Sequence, residues 1–233
     1  MNGEVEAEES EFAQDQALIN LLFERQTCPH LPNFAVEGST DTCTKAIYAP
    51  AKGHVPRAFG GATGELKDVK IAIVSNGPTT PICNETYTSD ANANLQTILG
   101  NPYLRKPPQP FHKNLNAFID MLISPDDGSL EDRLKQIWVT NSLHCTFSNE
   151  PEKTDRLRCG RFNLFRHLRL FTNVKALVLA GTAVQGMVKP IRDEFPDKEI
   201  VCCHSFSPRD VDRAQSSWQG AAKRCQEYLS AGQ

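Results

Sequence analysis

The chain lacks the long apolar runs, the repeats and the secretion signals that mark several large classes of protein. No apolar segment reaches the roughly 20 residues that a membrane-spanning helix needs. The N-terminus has no layout of basic, apolar and small residues typical of a secretory signal. We therefore expect a cytoplasmic protein that has no membrane partner and no repeat architecture.

Eight cysteines are present without such a signal, and this combination argues against a disulfide-linked scaffold. Reduced thiols, a metal site and a cluster remain as alternatives.

At 233 residues and 39% apolar content, the chain is long enough to bury a sizeable core. We expect an acidic, disordered head over residues 1–11 and one domain over residues 12–233.

The charge of the chain is unevenly distributed. The formal net charge is −3, but six acidic residues and no basic ones lie among the first 15 positions. The remainder then has 22 acidic residues against 25 basic ones. Between residues 153 and 169 lies a basic stripe that contains one acidic residue, Asp155. Its basic residues are Lys153, Arg156, Arg158, Arg161, Arg166 and Arg169. The stripe is compatible with phosphate contacts or, equally, with a solvated helix face.

Short apolar runs alternate with segments of helical periodicity over most of the chain. Such runs predict buried parallel strands that are covered by helices on both faces. We therefore expect an α/β fold, a single three-layer αβα domain with a central four-stranded, mainly parallel sheet. The predicted strands are residues 69–74, 137–143, 176–180 and 199–203, and the predicted helices include 91–99, 113–123, 159–171 and 212–229. Residues 28–64 are rich in Pro, Gly, Thr and Asn and are predicted to be irregular, with Cys28 and Cys43 as a possible staple.

Unusual polar residues follow three of the predicted strands. Asn76, Asn141 and His204 each come at the carboxyl end of a strand. In a doubly wound sheet these ends lie on one edge, where ligands bind. Taken singly, each residue has a simpler explanation as a turn, cap or surface group.

Five motifs in order resemble the uracil-DNA glycosylase superfamily, most closely its iron–sulfur branch, family 4. The matching segments are Val74-Ser-Asn-Gly-Pro78, Val139-Thr-Asn-Ser-Leu-His-Cys145, Cys159 at a helix start, Val178-Leu-Ala-Gly-Thr-Ala183 and His204-Ser-Phe-Ser-Pro-Arg209. The resemblance covers residues 20–229. It implies a monofunctional DNA glycosylase that flips uracil out of DNA, hydrolyses its N-glycosidic bond and starts base excision repair.

The resemblance also assigns roles to individual residues. Asn141 would form paired hydrogen bonds with one edge of uracil, and cytosine would leave buried groups unpaired. His204 would donate to uracil O2 as the bond breaks, while Tyr87 would stack on the base beside Gly77 and Pro78. A wedge that enters the duplex would consist of Phe206, Pro208 and Arg209, and further DNA contacts would come from Arg105, Lys106 and Arg161.

The chain departs from the family pattern in its first motif. Asn76 stands where the family has Glu, and Thr79 replaces a second small Gly. No carboxylate of this motif is then available to activate water, although Glu85 and Asp90 are near in sequence. Asn76 or a backbone carbonyl would position the water instead.

A Pro-rich segment, residues 102–110, is open to interpretation as a DNA-facing loop or a rigid connector.

The predicted cofactor is a [4Fe–4S] cluster held by Cys28, Cys43, Cys145 and Cys159, with structural zinc as the competing metal. The family has a cysteine where this chain has Arg25, so Cys43 would complete the set of four. Four other cysteines are interpreted as buried apolar residues: Cys83, Cys202, Cys203 and Cys225. A thiol nucleophile at Cys203 is a minor alternative, since no partner base is evident.

Two rival functions follow from these departures. The first is a binder of uracil-containing or abasic DNA with slow or single turnover. The second is a zinc-stapled α/β enzyme that acts on nucleotides. For the main hypothesis we expect a monomer that binds uracil-containing DNA, both single- and double-stranded, at the nucleoid.

Overall fold

The computed structural model describes residues 15–78, 86–99, 109–207 and 211–231. A five-stranded sheet in the order β2-β4-β3-β6-β7 forms the centre of the fold, and β1 and β5 form a small separate pair. The strands are β1 (Ala46–Ile47), β2 (Phe59–Gly61), β3 (Ile71–Ser75), β4 (Ile137–Asn141), β5 (Thr146–Phe147), β6 (Ala176–Ala180) and β7 (Glu199–Cys203).

The central sheet is parallel except at one edge. β4, β3, β6 and β7 pair in parallel, whereas β2 pairs with β4 in antiparallel fashion. The predicted α/β class and the mainly parallel sheet are confirmed. The predicted number of four strands is wrong, because β2 adds a fifth within the segment that is irregular by sequence pattern.

Helices cover both faces of the central sheet. They are α1 (Gln16–Gln26), α2 (Ala91–Leu99), α3 (Pro110–Leu122), α4 (Leu130–Lys135), α5 (Lys153–Cys159), α6 (Phe165–Leu170), α7 (Thr182–Gln185), α8 (Val188–Glu194) and α9 (Val211–Ala231). Among the residues that the structure describes, none of these helices is long and apolar enough to span a membrane.

Two apolar cores follow from the alternation of side chains along the strands. In β3, Ala72 and Val74 face one core with α1, α2, α6 and α8. Ile71 and Ile73 face the other with α3, α4 and α9. Successive strand residues point to opposite faces of a sheet, so one fully buried strand supplies both layers. The predicted three-layer arrangement is confirmed.

The helical region around the basic stripe differs from the prediction. The sequence pattern predicts a single helix over residues 159–171, but α5 begins at Lys153. Glu152 and Asp155 form a capping box that accounts for this earlier start. A π-helical turn, Gly160–Leu164, then separates α5 from α6.

The cysteines interpreted as buried apolar residues do not all behave alike. Cys203 and Cys225 are buried, but Cys202 is exposed. Cys202 lies on the edge strand β7, on a face that is open to solvent at this end of the strand. Cys83 lies outside the described residues.

Candidate functional site

The carboxyl edge of the central sheet brings three of the candidate residues to the same side of the molecule. Asn141 ends β4 and pairs in register with Ser75, directly before Asn76. His204 follows β7, three strands from β4 in the sheet order. With neighbouring strands about 4.8 Å apart, the backbones at Asn141 and His204 are about 14 Å from each other. Asn76, Asn141 and His204 therefore follow strands that end at one edge of the sheet.

The side chains of Asn141 and His204 are available to a ligand. His204 is exposed and Asn141 is partly exposed. Within the described part of the chain, neither the amide of Asn141 nor the imidazole of His204 has a hydrogen-bond partner. Only their backbone groups are engaged: Asn141 O accepts from His144, while His204 N–H donates to Ser217 and His204 O accepts from Trp218.

The loops that follow β3 and β4 are fastened to each other. The Ser142 N–H donates to Ser75 O at 2.7 Å, and the Ser142 hydroxyl donates to Asn76 O at 2.6 Å. The Leu143 N–H donates to the same carbonyl at 3.1 Å. These bonds extend the parallel ladder past the end of the strands. They therefore give Asn76 and Asn141 a rigid backbone.

Arg156 is a site residue that the sequence places only in the basic stripe. It is 7% exposed, and its Nη1 donates to Asn76 Oδ1 and, at 3.2 Å, to Ser142 Oγ. Its Nη2 lies 3.7 Å from a carboxylate oxygen of Glu150, an exposed residue. Burial lowers the pKa of Arg156, and the carboxylate of Glu150 opposes this effect. The guanidinium thus holds the Asn76 amide in one orientation.

His144 connects Asn141 to the interior of the protein. Its Nδ1 lies 3.1 Å from Arg25 Nη1, and its Nε2 lies 3.1 Å from Asn141 O. Arginine can only donate, so Nδ1 accepts and the hydrogen resides on Nε2. Burial, and then the charge of Arg25, hold the pKa of His144 well below its usual value, so the ring is neutral. The chain of hydrogen bonds runs from Arg25 through His144 to Asn141.

The four cysteines predicted to hold a cluster line one cavity, here called the four-cysteine cavity. Cys28 follows α1, Cys43 precedes β1, Cys145 precedes β5 and Cys159 ends α5. Other residues of the wall include Arg25, His144 and Asn163.

The cysteines surround the cavity rather than converge on one point. Within the described ranges, no three His, Cys, Asp or Glu side chains are placed to hold a single metal ion. Zinc would need sulfur atoms about 3.8 Å from each other, since Zn–S bonds are about 2.3 Å long.

The thiols of this cavity are set in a protein environment that favours the neutral form. Burial raises the pKa of Cys159 to about 12 and that of Cys43 to about 11, and it raises that of Cys145 as well. Two side chains donate toward sulfur: Asn163 Nδ2 lies 3.4 Å from Cys159 Sγ, and Arg158 Nη1 lies 3.9 Å from Cys43 Sγ. Metal binding would displace the thiol protons, since thiolates are the ligands.

Other predicted residues are placed less favourably. Phe206 is completely buried and packs against Phe118 and Trp218, with ring centroids 5.2 and 5.5 Å away. Its interpretation as an exposed wedge therefore does not fit, because the ring fills the core under α3 and α9.

Tyr87 is 7% exposed, and Arg57 lies over its ring at 5.8 Å. Stacking of Tyr87 on a base stays a prediction.

The remaining predicted contacts are divided between the surface and the undescribed segments. Gly77 and Pro78 are partly exposed and directly follow Asn76. Arg161 is exposed and lies in the π-helical turn, where it lines a groove with Arg158, Arg166, His30 and Asp41. The predicted DNA contacts that lie outside the described residues are Arg105, Lys106, Pro208 and Arg209.

Comparison with known proteins gives little beyond this geometry. No protein-family model matches the chain, and no curated protein sequence matches it either. Among solved structures, the chain is similar to the solution NMR structure of a "putative Uracil DNA glycosylase" from Methanosarcina acetivorans. The likeness has a TM-score of 0.44 at 10% identity and covers 75% of this chain and 98% of the other. At these values the likeness establishes neither the family nor the function of this chain.

Proposed function

We propose that the protein is a DNA glycosylase that excises uracil from DNA by hydrolysis of the N-glycosidic bond. One observation carries the proposal. The Asn141 amide and the His204 imidazole stand at the carboxyl edge of the sheet without partners in the described part of the chain. The sequence motifs around both residues support the same interpretation. The substrate would be uracil in single- or double-stranded DNA, met at the nucleoid in the cytoplasm.

Asn141 would select the base. Its amide offers one donor and one acceptor side by side, which match the N3–H and O4 edge of uracil. Cytosine presents the opposite pattern on that edge and would leave buried groups unpaired, at a cost of about 1–3 kcal/mol each. The rigid loop and the hydrogen bond from His144 to the Asn141 carbonyl would fix the backbone that carries this side chain.

His204 would assist the departure of the base. As the bond between C1′ and N1 breaks, the electron pair moves onto the uracil ring, and an imidazole N–H can donate to O2. Such a donor stabilises the charge that develops in the transition state. The uracil leaves as an anion, water adds to C1′, and the proton that this water gives up neutralises the uracil anion. The Asn76 amide, held by Arg156, would orient that water in the absence of a carboxylate.

A [4Fe–4S] cluster fits the residues of the four-cysteine cavity. Four thiols line one space, donors from Asn163 and Arg158 point to sulfur, and two nitrogen atoms of buried Arg25 have no partner among the described residues. The cluster would be structural, joining the N-terminal segment to the segment that carries Asn141. We propose a monomer, which a sizing column can check.

The experiment is a uracil-release assay on an oligonucleotide with one deoxyuridine, performed under single- and multiple-turnover conditions. We expect release by the native protein, sharply slower release by His204→Ala, and weaker discrimination against cytosine by Asn141→Ala. Asn173→Ala is a matched control, because Asn173 is an exposed asparagine that precedes β6 at the opposite end of the sheet. Full activity in both site variants would remove the site assignment.

A second candidate is a binder of uracil-containing or abasic DNA with little turnover. The observation that favours it is Asn76 in place of a carboxylate, with its Oδ1 already engaged by Arg156. Turnover separates the two candidates, because a protein that retains its product stops after one round of release. Tight binding of uracil-containing DNA with no release at any pH would favour the binder.

The cofactor proposal is tested on the purified protein without DNA. Iron and acid-labile sulfide should be present in the amounts of one cluster, and Cys145→Ser should lose them. Cys202→Ser is the control, because Cys202 is exposed and lies outside the cavity. Zinc without iron in the native protein would contradict the cluster.

A further inference from the structure

Arg25 is a completely buried arginine in the wall of the four-cysteine cavity. It lies near the end of α1, three residues before Cys28. Its Nη1 donates to Ala58 O at 3.3 Å and to His144 Nδ1 at 3.1 Å. Ala58 has a φ of 89°, a conformation that costs a non-glycine residue energy. The backbone of Ala58 is thus strained, and its carbonyl accepts a hydrogen bond from Arg25.

The remaining donors of Arg25 have no acceptor. Its Nε and Nη2 are buried without a hydrogen-bond partner in the described part of the chain. No Asp or Glu is among the described residues that line the cavity. A buried guanidinium keeps its charge, and a buried charge without a partner is strongly destabilising. Arg25 therefore lacks a counter-charge among the described residues of this wall.

Among the described residues of its wall, the cavity has one kind of group that can become an anion. Its acidic groups are the thiols of Cys28, Cys43, Cys145 and Cys159. As neutral thiols they would not balance the charge of Arg25. Four thiolates around a [4Fe–4S] core would, because the core in its resting state cancels only part of their charge and the whole centre is an anion.

We propose that Arg25 is the counter-cation of the cluster, neutralising part of its charge and offering it the N–H groups of Nε and Nη2, which have no partner among the described residues. This inference rests on the proposed cofactor.

Two measurable properties follow. Reduction adds a negative charge to the cluster, so a neighbouring cation stabilises the reduced form and raises the reduction potential. Outer residues that neutralise and hydrogen-bond a metal centre also slow its loss, typically by about 10- to 100-fold in affinity. Arg25 should therefore affect both the potential and the retention of iron.

The test compares the iron-loaded full chain with Arg25→Met and Arg25→Lys, without DNA. Redox titration followed by electron paramagnetic resonance gives the potential, and visible absorption follows iron loss to a chelator. We expect a more negative potential and about tenfold faster iron loss in Arg25→Met. Arg25→Lys keeps the charge without the planar fork, so its shifts should be smaller and in the same direction.

Arg133→Met is the matched control. Arg133 is also a buried arginine, but it is paired with Asp120 and lies outside the four-cysteine cavity. Its replacement should leave the potential and the iron loss unchanged. If Arg25→Met aggregates, Arg25→Lys and Arg25→Gln provide the same comparison.

The outcomes separate the proposals from each other. An unchanged potential and unchanged iron retention in Arg25→Met would overturn the role of Arg25 and leave the cluster standing. Absence of iron from the native protein would overturn both. Absence of uracil release would contradict the proposed activity only, since neither measurement on Arg25 uses DNA.

Discussion

Replacement of Arg156 by methionine should slow uracil release without weakening DNA binding. The guanidinium is buried and donates to Asn76 Oδ1 and Ser142 Oγ. A hydrogen bond from a charged donor contributes about 1.5–3 kcal/mol. Methionine fills a similar volume but frees the Asn76 amide that we place beside the attacking water. If loss of this hydrogen bond raises the activation free energy by about 1.4–2.8 kcal/mol, kcat falls about 10- to 100-fold.

The assay for Arg156→Met is uracil release under single-turnover conditions at saturating protein, repeated across salt concentrations. The control is Arg161→Met, since Arg161 is exposed in the neighbouring turn and has no hydrogen bond to the strand-end loops among the described residues. If Arg161 binds a DNA phosphate, its replacement should raise the protein concentration needed for half-maximal release, and it should reduce the slope of log affinity against log salt concentration by about 0.9 on duplex DNA. A kcat of Arg156→Met within about twofold of the native value, in a folded protein, would refute the positioning argument.

Two further predictions concern stability. Burial, and then the charge of Arg25, lower the pKa of His167 to about 3, so the folded protein does not take up this proton until far below pH 6.5. Unfolding then binds a proton between these values, and stability should fall by about 1.4 kcal/mol per pH unit from this residue as pH drops. Urea denaturation near pH 7 and near pH 5 should show this slope reduced in His167→Phe, and an equal slope would contradict the assignment. Gly61→Ala should destabilise the protein by at least about 2 kcal/mol, because φ is +66° and the new Cβ would lie 2.1 Å from Ile137 O. Gly160→Ala should cost less in thermal and urea unfolding, since its Cβ meets only the flexible end of Met187, and equal losses would contradict this reasoning.

The parallel part of the fold was predictable because its strands carry their own signal. A strand that is buried on both faces is apolar at every position, and β3 and β6 are buried throughout. The strand β2 carries no such signal. It consists of Phe59 and two glycines, and it becomes a strand only through its pairing with β4. Its existence depends on a tertiary contact, which local sequence does not record.

The candidate site was predictable where its residues lie at the ends of strands. Asn76, Asn141 and His204 could be found because polar residues directly follow apolar runs. Arg156 and His144 could not, since their roles come from partners on other elements. The opposite error occurred at Phe206, where a loop motif suggested exposure but three neighbouring aromatic rings, including Phe111, draw the side chain into the core.

The pairing of β1 with β5 has a consequence for how the chain assembles. Ala46 pairs with Phe147, and Arg25 contacts His144 across 119 positions of sequence. Contacts between residues so far apart in sequence form slowly, because the chain loses the entropy of a long loop before the contacts stabilise the fold. The N-terminal segment should thus dock last, onto a sheet that is already formed. If the proposed cluster is inserted at this late step, it would hold the N-terminal segment in place, and protein produced without iron should be cleaved preferentially between residues 27 and 58.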